Sequence, residues 1–372
     1  MIIKNAIIFD SEFNKKKLDI KIENGKIAEI SDNICGDSEI NCSDCTVLPG
    51  FIDIHTHGTG GGDTCDEDAA SIDIISRNLV RHGVTSFCPT TMTLSYSQLE
   101  KAFSNIASYK GKENGAYIHG INMEGPYISL EKKGAQDARF VRAADIDEFK
   151  KLNNICKISL VDVAPEIKNA IPFANEVSEI CTVSAAHTSA SFEEAKKGFE
   201  NGFSHATHLF NAMTGLAARN PGVIGAVFDS DTATAELICD GFHIAPSNLR
   251  LAFKMLGEDR SIIISDSLRS ADLPDGEYNF AGQMIYVRDG KALLEDGTIA
   301  GSSSNIYEEY INAIKFGIPE KQVVKSCTIN PAKVIGADNI TGSIEIGKNA
   351  DLLILDKDNQ IKNVIVKGKV IV

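Results

Sequence analysis

The chain has 372 residues, enough for one large α/β barrel and a small accessory unit. With 37 Lys and Arg against 51 Asp and Glu, its formal charge is −14, which lacks the basic footprint of a nucleic-acid or anionic-membrane binder. No apolar run approaches the roughly 18 residues of a membrane span, the first residues show no signal-peptide pattern, and the nine scattered cysteines read as reduced thiols of a cytoplasmic protein.

In chain order, residues 18–23 alternate apolar with polar, Asn24-Gly25 gives a hairpin signal, and residues 26–30 resume the alternation. Cys42-Ser43-Asp44-Cys45 has CxxC spacing but no partner pair and is read as structural. Residues 351–356 and 364–372 are again short strand-like runs around Gly turns. The two ends are therefore expected to pair into one small discontinuous β-sandwich, 1–49 plus 329–372.

Between them, eight apolar or β-rich runs occur at 51–55, 84–90, 117–123, 158–164, 181–186, 205–209, 234–239 and 262–265. Helix-permissive stretches separate most of them, at 68–81, 97–108, 143–152, 192–201 and 247–256, and several open on a capping residue such as Ser191. Segments 302–316 and 319–327 add closing helices. Eight alternating units predict a (β/α)8 TIM-type barrel over 50–328.

Polar residues recur at the ends of these runs. His55 and His57 close the first, where side chains two apart on an extended segment share a face and can hold one ion from one side. Glu124 follows the third run, His187 ends the fifth, His208 sits in the sixth, His243 follows the seventh and Asp266 ends the eighth. All strand C-termini of a parallel barrel open onto one face, so six runs deliver a histidine or carboxylate to a shared site. His82 before Gly83 reads as a helix end, and His119 and His205, at the starts of runs, read as structural. A carboxylate and two histidines leave a divalent ion an open position for water, and a free aspartate nearby can move the proton, which is the chemistry of metal-assisted hydrolysis. Zn²⁺ suits these donors best, with Fe²⁺, Mn²⁺ and Co²⁺ compatible.

Pro49-Gly50-Phe51-Ile52-Asp53-Ile54-His55-Thr56-His57-Gly58, Asn330-Pro331-Ala332-Lys333 and 347–352 resemble the amidohydrolase superfamily. Met123-Glu124-Gly125-Pro126-Tyr127, the stretch 205–213 and Asp240-Gly241-Phe242-His243 resemble, more narrowly, its N-acetylglucosamine-6-phosphate deacetylase family. The resemblance implies Glu124, His187 and His208 as primary metal ligands and Asp266 as acid/base. It implies metal-activated water attacking the acetamide of an amino-sugar phosphate. Ala135, Gln136, Asn211, Ala212, Arg219, His243, Ile299, Ala300 and Gly301 fall on positions that contact the substrate. Arg219 offers a guanidinium fork for phosphate and, in the homodimers typical of the family, reaches the neighbouring site. Many members have histidine where this chain has Gln136, which can donate a hydrogen bond but carries no charge. The pair His55 and His57 then reads as a second ion site sharing Glu124 or Asp266, so one or two ions are expected per chain.

Three rivals are weighed against this reading. A deacetylase for N-acetylgalactosamine 6-phosphate would share every motif. Cyclic-amide hydrolases need a carboxylated lysine after the fourth strand, and residues 161–166 hold none. A non-catalytic relative would be expected to lose ligands, and this chain retains all of them.

Overall fold

The computed structural model describes residues 1–36 and 38–372. Eight parallel strands form the central barrel: Phe51–Thr56, Val84–Thr91, Ile121–Glu124, Ile158–Val163, Thr182–Ala185, Phe203–Ala206, Thr234–Leu237 and Ser261–Ile263. Each pairs with the next in chain order. The seam between the eighth and first strands closes just beyond the end of the eighth. There the Asp266 N–H donates to His55 O at 2.9 Å and the Ser265 hydroxyl to the Asp53 carboxylate at 2.5 Å. Most of these runs are buried along their whole length, the pattern of strands covered on both faces.

Run ends shift by a residue or two throughout, and two runs differ in form as well. The third is broken into Tyr117–Ile118 and Ile121–Glu124. The sixth starts two residues early, at Phe203, and ends at Ala206, so His208 lies beyond the strand rather than in it.

Local chemistry accounts for the helix starts. Ser95 with Gln98, Ser191 with Glu194 and Asn305 with Glu308 form capping boxes, each satisfying otherwise orphaned backbone N–H groups. His82 sits in the last turn before Gly83, whose φ of 81° ends the helix in the left-handed conformation that glycine adopts without strain.

Strands from opposite sides of the barrel contribute Ile52, Cys88, Leu160, Ile238 and Ile262 to one apolar cluster with Ala332, Ile335 and Ala337. Strands so far apart can share a cluster only inside the barrel, so residues 332–337 plug its floor and the polar residues gather at the other end.

The two chain ends join, as expected, but as one continuous eight-stranded sheet rather than two separate ones. Leu352–Leu355 pairs antiparallel with Thr46–Pro49, placing a C-terminal strand against an N-terminal one. Ile3, Ile8, Ile20, Val47, Leu352 and Ile354 are among its core residues, and Cys42 and Cys45 are buried there as free thiols. Asn24 and Gly25, with φ of 51° and 79°, make the expected hairpin turn. An antiparallel unit absent from the sequence reading, Gly276–Phe280, Gln283–Arg288 and Lys291–Leu293, is inserted after the eighth barrel strand. It packs over the site face, where the Gln283 amide donates to Ala135 O at 2.7 Å. No helix among the described residues is long and apolar enough to cross a membrane.

Candidate metal centre

Beyond the strand ends the chain turns sharply, and His187, His208 and Asp266 take φ of 42°, 31° and 48°. A non-glycine residue in this region costs about 1–3 kcal/mol, and such strain collects where a side chain must be aimed. All three point into a cavity of about 350 Å³ that Glu124 and His57 also line.

Glu124 is the hub. Its Oε1 lies 3.1 Å from His187 Nε2, 3.2 Å from His208 Nε2 and 3.5 Å from His55 Nε2, and its Oε2 lies 3.4 Å from His57 Nε2. Asp266 Oδ1 lies 3.3 Å from His57 Nε2 and 3.5 Å from His55 Nε2. Burial works against an ionised Glu124, yet the imidazoles of His187, His208 and His55 gathered round it hold its carboxyl well below the usual range. Asp266 is lowered in the same way, with burial outweighed by the neighbouring imidazoles of His55 and His57.

These donors fit a divalent cation. Metal–nitrogen bonds of about 2.0–2.1 Å in a tetrahedron put ligand atoms roughly 3.3 Å apart, close to the spacings here. His187 Nδ1 faces Lys132 O at 2.9 Å and must carry a proton, so Nε2 keeps its lone pair. That lone pair faces His208 Nε2 at 3.2 Å, an approach that a shared cation accounts for. His55 Nε2 is buried without a hydrogen-bond partner. Three donor groups result: Glu124, His187 and His208, beside them His55, His57 and Asp266, and a third, His55, Glu124 and Asp162, that borrows a member from each.

Of the remaining candidates, Ala135, Gln136, Asn211, Ala212, His243, Ile299 and Gly301 line the cavity. Ala300 is buried behind its neighbours, and Arg219 is exposed on the loop after the sixth strand, outside this chain's cavity. Gln136 is fully engaged: its amide N–H₂ donates to Glu124 Oε2, and its Oε1 accepts from the Thr93 N–H at 2.7 Å. His243 Nδ1 is held by Asp240 at 2.6 Å, leaving Nε2 buried and unpartnered at the cavity wall.

His205 lies in the barrel wall, 3.3 Å from Glu236, and His82 pairs with Asp272 at 2.7 Å away from the centre. His119, between the two parts of the third strand, does not line the cavity.

Sequence reasoning missed Met92, Lys132, Phe280 and Thr298 in the cavity wall, and the buried carboxylates Asp53, Asp162 and Glu236 beneath it. Burial pushes Asp53 up to about 6 and Asp162 up to about 8. A carboxylate inside an otherwise apolar barrel strand, as in Thr234-Ala235-Glu236-Leu237, was the available signal, since burying one without a partner is costly.

The amidohydrolase family model matches residues 46–371. The chain is similar to N-acetylglucosamine-6-phosphate deacetylase of Bacillus subtilis strain 168, at 35% identity over 100% of this chain and 96% of that one. It is 29% identical to N-acetylgalactosamine-6-phosphate deacetylase of Escherichia coli O157:H7, over 90% of this chain and 88% of that one. The solved N-acetylglucosamine-6-phosphate deacetylase of Pasteurella multocida superimposes with a TM-score of 0.91 at 30% identity, covering 99% of this chain and 98% of that one.

Proposed function

The chain belongs to the amidohydrolase family, and on that premise we propose that it hydrolyses N-acetylglucosamine 6-phosphate to acetate and glucosamine 6-phosphate. The observation that carries this reading is the convergence of Glu124, His187 and His208 with an ionised Asp266 in one buried cavity. We assign Glu124, His187 and His208 as the primary ligands of a divalent ion, with Zn²⁺ the best match to the donors, and His55, His57 and Asp266 to a second ion. Such an ion, when bound, supplies a Lewis acid that polarises a carbonyl and lowers the pKa of water.

The remaining steps fall to the chain itself. The Asp266 carboxylate takes a proton from the attacking water as the new C–O bond forms. It returns that proton to the amine nitrogen as the C–N bond breaks. His243 presents Nε2 to the substrate while Asp240 fixes its other nitrogen. Gln136, with both ends of its amide engaged, acts on Glu124 rather than on the acetyl group. Ala135, Asn211, Ala212, Ile299 and Gly301 shape the sugar-phosphate pocket, with Ala300 supporting them. The exposure of Arg219 supports a homodimer in which this guanidinium serves the neighbouring subunit's phosphate. Nine unpaired cysteines support a reducing, cytoplasmic setting.

Acetate release from the two epimeric N-acetylhexosamine 6-phosphates, on metal-stripped protein reloaded with single ions, tests the reading. Turnover of the gluco epimer that returns only with a divalent ion is expected. Preference for the galacto epimer would overturn the substrate assignment, and no acetate from either would overturn the activity.

A further inference from the structure

We propose that Glu236 is a positioning residue that sets His55 as a ligand of the second ion, an inference that rests on the metal-dependent reading above. Glu236 lies in the seventh barrel strand, is 0% exposed and does not line the substrate cavity. Its Oε2 lies 3.0 Å from His55 Nδ1 and accepts the His208 backbone N–H at 3.1 Å. Its Oε1 lies 3.3 Å from His205 Nε2, and His205 Nδ1 in turn faces Thr234 Oγ1 at 2.6 Å. The carboxylate is thus held by two hydrogen bonds at Oε2, with His205 beside Oε1.

A carboxylate oxygen that already accepts the His208 N–H accepts from His55 Nδ1 as well, so a ring proton sits on Nδ1 and Nε2 is the nitrogen left for an ion. That Nε2 is buried, has no hydrogen-bond partner and stands 3.5 Å from both Glu124 Oε1 and Asp266 Oδ1. A buried, unpartnered ring nitrogen aimed at two carboxylates is the arrangement a cation between them requires. The His187 ring, by contrast, is oriented by the neutral carbonyl of Lys132, and His208 meets Glu236 only through its backbone N–H, so Glu236 orients a ligating ring at the second site alone. Carboxylates behind a ligating imidazole typically contribute 10–100-fold to metal affinity, and the effect here should fall on one site of two.

The test compares wild-type protein with Glu236→Gln, which keeps the shape and removes the charge. Both are titrated with Zn²⁺ against a chelator, and metal per chain is counted after equilibration. The second ion should dissociate about 10–100-fold more readily from E236Q, with the first unchanged within a factor of about three. Equal second-ion affinity, or equal weakening at both sites, overturns the proposal. A purely structural Glu236 would shift the melting temperature of the metal-free variant and leave the second-ion constant alone, which also overturns it.

Histidine-selective ¹⁵N labelling of the wild type gives an answer even if the variant fails to fold. It should show an exchange-protected Nδ1–H on His55, absent in His55→Asn, and a deprotonated Nδ1 there overturns the proposal. Wild-type loading that stops at one ion per chain removes the second site and this role with it. Acetate release persisting in that case leaves the deacetylase reading intact.

Discussion

Asp240 Oδ2 lies 2.6 Å from His243 Nδ1, while Oδ1 of the same carboxylate accepts the backbone N–H groups of Phe242 and His243, each at 2.8 Å. Three contacts fix the ring at the cavity wall. Burial disfavours the imidazolium, but the hydrogen bond and charge of Asp240 outweigh it and raise the His243 pKa above its usual value. A raised histidine pKa adds stability in full below the free imidazole value of about 6.5, and the gain is lost as pH rises through the folded value. Asp240→Asn should therefore move the alkaline limb of the kcat/KM profile to lower pH. An unmoved limb would show that His243 protonation does not govern turnover.

Asp266→Asn keeps the shape of the side chain and removes its capacity to accept a proton. A loss of about 10²–10⁴-fold in kcat is expected, with the ion on Glu124, His187 and His208 retained by metal analysis. Turnover near wild type in the metal-loaded variant would dismiss Asp266 as the proton carrier.

Gln136 donates to the outer oxygen of Glu124 and is itself held by the Thr93 N–H. Gln136→Ala frees that carboxylate to rotate, and the ion on Glu124 should bind about 10–100-fold more weakly. Competition with a chromogenic chelator reads this directly. A raised KM with unchanged metal affinity would instead place Gln136 on the substrate.

Metal removal should also cost stability. Glu124, Asp266 and Glu236 are all buried and held below the usual carboxylate range, so negative charge is concentrated under the cavity. An ion present at a thousand times its Kd stabilises by about 4 kcal/mol, so stripping it should lower Tm by several degrees in differential scanning calorimetry. A Tm indifferent to chelator would mean that the folded chain holds no ion tightly.

Where the barrel meets the terminal sheet, the Tyr117 hydroxyl donates to Asp351 Oδ2 at 3.0 Å, and Thr341 donates to the same oxygen at 3.0 Å. Tyr117→Phe removes one donor and leaves Asp351 still bonded by Thr341 and by the Lys367 N–H. The expected cost is about 1 kcal/mol in denaturant unfolding, with acetate release unchanged. A much larger loss would show that the hydroxyl ties the two units together.

Much of this molecule is legible from local pattern. Runs such as Val84–Thr91 and Ile158–Val163 are apolar and β-rich because both faces are covered, and Asn24-Gly25 makes its turn wherever it stands. His55, Glu124, His187 and Asp266 stand at or just beyond run ends, and a parallel barrel brings every such end to one face. The insertion at Gly276–Phe280 was less legible because its strands are short and half-exposed, so no long apolar run marks them.

The sequence by itself determined the strand and helix alternation, the barrel and the residue types gathered at its mouth, because hydrophobic period and capping chemistry act over a few residues. Only the tertiary structure decided which atoms meet. Glu236 behind His55 and Asp53 beneath Ser265 join residues 181 and 212 positions apart. Such contacts depend on how strands far apart in the chain close round a common axis, and no local pattern encodes that distance. Arg219, which the family resemblance sets against the substrate phosphate, stands outside its own chain's cavity.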